Sequence, residues 1–70
     1  MNQYIIPVCN IEKSKVYNLT INANSIYDCQ DRIMNKFSKY SDSEKYSQFV
    51  KDLDNKDILI GEIKCIDELI

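Results

Sequence analysis

The sequence contains no histidine and no tryptophan, a single glycine (Gly61) and a single proline (Pro7). Histidine is the commonest general base and metal ligand, so its absence closes most routes to acid–base or zinc chemistry. One glycine cannot build a glycine-rich phosphate cradle. No apolar run approaches the ~20 residues of a membrane span. The opening Met1-Asn2-Gln3-Tyr4 lacks the basic and apolar regions of a secretory signal. These absences predict a cytoplasmic protein that acts by binding, with little irregular backbone left for an active-site loop.

Cysteine is present but in an odd number (Cys9, Cys29, Cys65), with no C-x-x-C pair. A secreted scaffold of this length normally carries an even disulfide set. All three read as small core or semi-core residues, and neither a metal nor a cofactor is expected. Eleven acids against nine bases leave a net charge of −2. That total offers no basic footprint, so direct nucleic-acid binding is not expected.

What remains is an ordinary folded composition, 44% hydrophobic and 29% charged, in 70 residues. That length makes one domain, 1–70, with a small and marginal core. Residues Gln3 to Cys9 predict a strand with Tyr4, Ile6 and Val8 on one face and Ile5, Pro7 and Cys9 on the other. Pro7 cannot donate to a ladder, which favours an edge position or a nitrogen facing away from a partner. Asn10 to Ser14 reads as a hairpin loop. Lys15 to Ala23 alternates, with Tyr17, Leu19, Ile21 and Ala23 opposite Asn18, Thr20 and Asn22, as in a sheet covered on one side.

Ser25-Ile26-Tyr27-Asp28 resembles a capping box and opens a helix over 25–40. Ser41-Asp42-Ser43-Glu44 has the same pattern with the preferred glutamate. Tyr46, Phe49, Val50 and Leu53 then follow at helical spacing over 42–54. Ile58 to Ile66 forms the last strand, where a bulge at Gly61-Glu62 would place Ile58, Ile60, Ile63 and Cys65 on one face. Leu69 and Ile70 are available to fold back. The sum is an α+β, two-layer ββααβ domain with a three-stranded sheet and two helices on one face. The expected core is Tyr17, Leu19, Ile21, Ile26, Cys29, Ile33, Phe37, Phe49, Val50, Leu53, Ile58, Ile60 and Ile63.

No constellation of side chains supports catalysis. The Ser14-Lys15 and Ser38-Lys39 pairs are sequence neighbours that do not face each other, so the chain is not expected to be an enzyme. The strongest bias lies in the C-terminal third, where Asp52, Asp54, Asp57, Glu62, Asp67 and Glu68 outnumber Lys56 and Lys64. Such a stretch is either a solvated rim or an acidic patch that docks a basic protein surface. Tyr17 and Tyr40 suit core-edge positions; Tyr4, Tyr27 and Tyr46 suit partial exposure. A third candidate surface is the uncovered sheet face bearing Asn18, Thr20 and Asn22, suited to a partner or to β-edge pairing.

The run Tyr17 to Ile33, YNLTINANSIYDCQDRI, resembles the hairpin and first helix of the DpnD/PcfM-like group of small plasmid and phage proteins. Small size, acidity and a composition rich in Ile, Asn, Lys and Tyr are also similar in style to phage-encoded anti-CRISPR inhibitors. These likenesses imply a non-enzymatic protein of a mobile element that inhibits a host defence complex. Its partner would be a host protein or ribonucleoprotein with a basic surface, covered by the six acids. The alternative is a small accessory protein that homodimerises through a strand edge.

Overall fold

A computed structural model describes residues 1–66. The order is β1 (Asn2–Asn10), β2 (Lys15–Ala23), α1 (Ile26–Lys36), α2 (Tyr46–Asp54), β3 (Ile58–Ile60) and β4 (Lys64–Cys65). All strand pairs are antiparallel, and β1 is central, with β2 on one side and β3 and β4 on the other. Tyr4, Ile6, Val8, Ile21, Ala23 and Ile58 from the sheet meet Cys29, Ile33, Phe49 and Leu53 from the helices in one core. Both helices therefore cover the same sheet face. The short axis of the molecule is 15 Å, too thin for a further layer, which adds ~10 Å. The architecture is α+β and two-layered, with four strands where the sequence suggested three.

The extra strand comes from a break. Between the Ile5–Lys64 and Val8–Ile60 pairs lie Ile6 and Pro7 on β1, but Gly61, Glu62 and Ile63 on the other chain segment. One additional residue is a β-bulge, and it reverses side-chain parity. Ile58, Ile60, Ile63 and Cys65 consequently all pack on the helix-covered side.

Pro7 lies opposite this break, on the central strand and not at an edge. Its carbonyl accepts from Gly61 N at 2.8 Å. A strand residue's nitrogen and carbonyl point the same way, so the missing N–H faces the interrupted ladder, where few bonds are lost. A Cβ on Gly61 would lie 2.5 Å from Pro7 Cγ. The chain's one glycine is thus needed where its one proline makes close contact.

The core also shifts from the alternation pattern. Tyr4, Ile6, Val8 and Ala23 are buried, and the sequence core omits them. Tyr17 and Ile26, expected inside, are 40% and 42% exposed. Leu19, Phe37, Val50, Ile60 and Ile63 are only partly buried. β1 is apolar on both faces, so its pattern carries no contrast; β2 protrudes beyond the helices at its N-terminal half, so its alternation overstates burial.

The helices are shorter than the apolar stripes suggest. α1 starts as expected: Ser25 Oγ accepts from Asp28 N at 3.1 Å, and Asp28 Oδ2 accepts from Asn24 N at 2.9 Å. α2 does not use its capping box. Its N-cap is Lys45, with no side-chain hydrogen bond. Ser41 and Ser43 instead donate their hydroxyls to Asp52 Oδ2. Ser41 Oγ meanwhile accepts from Ser43 N at 3.2 Å, so the segment is tied to the flank of α2 and the helix starts only after Lys45.

Candidate interaction surfaces

The acidic residues occupy different environments. Asp52 is half-buried on α2, where Ser41 donates at 2.6 Å and Gln48 Nε2 donates to Oδ1 at 3.0 Å. Those hydroxyls and the amide hold its carboxyl below the usual range. Asp52 therefore organises the α1–α2 connection. Asp54 and Asp57 flank one exposed turn, in which Asp57 N donates to the Asp54 carbonyl at 3.0 Å. Asp57 has φ 60°, a left-handed conformation that aspartate tolerates. The helix does not continue to align the two. Glu62 is exposed in the bulge. Asp67 and Glu68, together with the suggested fold-back of Leu69 and Ile70, lie outside the described residues. Lysines interleave with these acids: Lys51 lines the same hollow as Asp54, and Lys56 the same hollow as Asp57.

The uncovered sheet face is more apolar than β2 alone indicated. Cys9 pairs with Val16 on one side and Leu59 on the other, so the three form one row across the sheet. Pro7 and Ile5 extend it along β1. Val16 is 79% exposed and Leu59 is 41% exposed. Asn18, Thr20 and Asn22 are exposed as expected. The sequence reading missed the row because its members come from three strands.

The edges differ as well. Pro7 pairs with Asn18 but has no N–H, and its carbonyl points to Gly61. The Asn18 N–H and C=O therefore point away from β1, and by the two-residue period so do those of Val16, Thr20 and Asn22. This edge runs the nine residues of β2 with no proline, glycine or bulge.

Among the tyrosines, Tyr4 is buried, against the expectation of partial exposure, and Tyr27 is 75% exposed. Tyr46 is half-buried, and that burial pushes its hydroxyl pKa up. Cys29 is fully buried, which raises its thiol pKa and keeps it protonated; a thiol in that state is a poor nucleophile. Cys9 and Cys65 are half-buried and free. Among the described residues no acid and cysteine group is arranged to hold a metal ion. No described helix is long and apolar enough to cross a membrane. The fold thus defines a two-layer α+β domain with one covered and one open sheet face. No family model, curated protein or solved structure matches the chain.

Proposed function

We propose that this chain is a small non-enzymatic binding protein that assembles with a second copy of itself by joining β2 to β2. The carrying observation is the unbroken β2 edge, whose outward amides and carbonyls lack a strand partner among the described residues. Natural sheets blunt such edges with charge, proline or bulges, and β2 has only Lys15 at its start.

Antiparallel two-fold pairing centred on Leu19 sets Val16 of one copy opposite Asn22 of the other, and Asn18 opposite Thr20. Every outward residue is then used. Lys15 faces Ala23, so no like charges meet. Leu19 meets Leu19, and the exposed Tyr17 meets Ile21, on the helix side.

Sedimentation velocity from about 10 μM to 1 mM is expected to show a monomer–dimer equilibrium. Asn18→Pro removes an outward donor that the β1 ladder does not use; it should abolish the dimer and leave the thermal melt close to wild type. Among variants with one cysteine introduced at 18, 19 or 20, made in a Cys9→Ser, Cys65→Ala background that keeps only the fully buried Cys29, only Leu19→Cys should cross-link to its own copy. A monomer throughout, or cross-linking at 18 or 20 instead, refutes the proposal.

A second reading is inhibition of a host defence complex by a mobile-element protein that covers a basic surface. It is favoured by Asp54, Asp57 and Glu62, which are exposed and make no ion pair among the described residues. Asp52 contributes less, because its carboxylate is already bonded. Charge reversal at 54, 57 and 62 should then abolish capture of a CRISPR effector in a binding assay without altering the melt. Unchanged capture, or no capture by the wild type, removes this reading.

A further inference from the structure

A groove of about 610 Å³ opens between the β-hairpin and the end of α1. Lys13 and Lys15 line it from the hairpin, and Lys36 and Lys39 from the end of α1 and the turn beyond. All four are exposed. Tyr17 and Tyr40 stand among them, with Lys39 Nζ 4.8 Å from the Tyr40 ring centroid. Among the described residues no carboxylate lines this groove. Glu12 and Asp57 belong to the adjoining hollow, where Lys56 accompanies them. The single ion pair among the described residues is Arg32–Asp28, so none of the four lysines is neutralised by an acid of the described chain.

Gathering four cations around one groove costs Coulomb repulsion unless an anion is present. The chain has more acids than bases, yet among the described residues the acids nearest the groove, Glu12 and Asp57, line the adjoining hollow that shares Lys13 and Tyr40 with it. The lysines come from two stretches far apart in sequence, which is why the net charge concealed the patch.

We infer that this groove binds single-stranded nucleic acid, the lysines contacting phosphates and Tyr17 and Tyr40 offering stacking faces to bases. Ammonium groups alternating with aromatic rings match a polymer that alternates phosphodiesters with π-faces. A bare polyanion would use the lysines but not the rings. Paired bases in a duplex would be closed to stacking. The groove volume falls in the range of small-ligand sites, which fits one or two nucleotides seated and flanking phosphates held by the rim. The inference does not rest on β2 pairing; because Lys15 and Tyr17 also face the second copy in that pair, the titrations are made in the Asn18→Pro background, where pairing is abolished.

The test is fluorescence anisotropy with a labelled oligothymidine of about ten nucleotides, titrated with the full chain at several salt concentrations. Log affinity should fall against log salt with a slope of about −0.7 per phosphate contacted, and so no steeper than about −3 for four lysines. The Lys15→Glu/Lys36→Glu variant should weaken binding at least about tenfold and flatten the slope. Lys13→Glu/Lys39→Glu is the second pair, should the first alter the melt. Tyr17→Ala should weaken binding about tenfold with the slope unchanged, since stacking is insensitive to salt. Absence of binding at about 1 mM protein overturns the inference. So does tighter binding of a duplex of equal length, or equal competition by inorganic polyphosphate together with no effect of Tyr17→Ala.

Discussion

On one side of β1 the sheet ends in two short strands, Ile58–Ile60 and Lys64–Cys65, separated by a bulge and faced by Pro7. On the other side it ends in the nine unbroken residues of β2. The first edge carries the devices that discourage pairing: short strands, an irregular ladder, and the charged Glu62 and Lys64. The second has almost none. Both are held by the same central strand, so the difference does not arise from the core. It arises from where the chain places its proline and glycine. With these features concentrated on one edge, the other is the edge that the proposed β2 pairing would use.

The most severe way to break this comparison is to remove what both edges share. Ile6 is fully buried, pairs with Leu19 on the β2 side, and faces Glu62 and Ile63 across the bulge. Ile6→Ala should cost about 2–5 kcal/mol, lowering the urea midpoint sharply and loosening both edges together. Retention of β2-side amide protection while the β3–β4 side melts would show the two edges to be independent.

Gly61→Ala acts on the interrupted edge alone. The added Cβ meets the Pro7 ring, and overpacking of this kind costs about 1–3 kcal/mol. The double variant Pro7→Ala/Gly61→Ala should recover most of that loss. A double-mutant cycle in which the two effects simply add would mean that the ring and the glycine are not coupled.

Ser25→Ala acts on the β2 side, because α1 packs over β2 as α2 packs over β3. Loss of the cap should cost about 1 kcal/mol, whereas Glu44→Ala at the unused capping box should leave the melt unchanged. Equal effects would mean that Glu44 does cap α2 in solution.

The two helix starts also show what the sequence could and could not convey. Both carry a serine-led capping signature, and only the first is used. The outcome at Ser41 and Ser43 depends on Asp52, which lies well into α2, eleven residues on from Ser41 and outside any local pattern. The bulge was legible because Gly61 sits where the parity of Ile58 and Ile60 gives way to that of Ile63 and Cys65. The centrality of β1 was not: a strand apolar on both faces has no alternation to read, and of the two positions Pro7 allowed, an edge or a nitrogen without a ladder partner, only the fold selects the second. The lysine groove was hidden for a related reason. Lys13, Lys15, Lys36 and Lys39 become neighbours only when the hairpin folds beside the end of α1.

Acidification provides the mildest test of the comparison, since each helix is pinned by one carboxylate. Asp28 on α1 is held below the ordinary aspartate value of 3.8, chiefly by the Asn24 amide and further by Arg32, 3.2 Å away. Asp52 on α2 is held below it by Ser41, Ser43 and Gln48. A carboxyl whose pKa is lower folded than unfolded stabilises the fold fully above the unfolded value. That contribution is lost as pH falls through the folded one. The melting temperature should therefore stay level from neutral pH to about 5 and decline below about 4. Asp28→Asn and Asp52→Asn should each remove part of that decline, because an amide does not titrate. If hydrogen exchange at low pH then rises first in β2 for Asp28→Asn and first in β3 for Asp52→Asn, each edge depends on its own helix. If both edges loosen together in either variant, the helix layer acts as one unit, and the contrast between the edges belongs to the sheet alone.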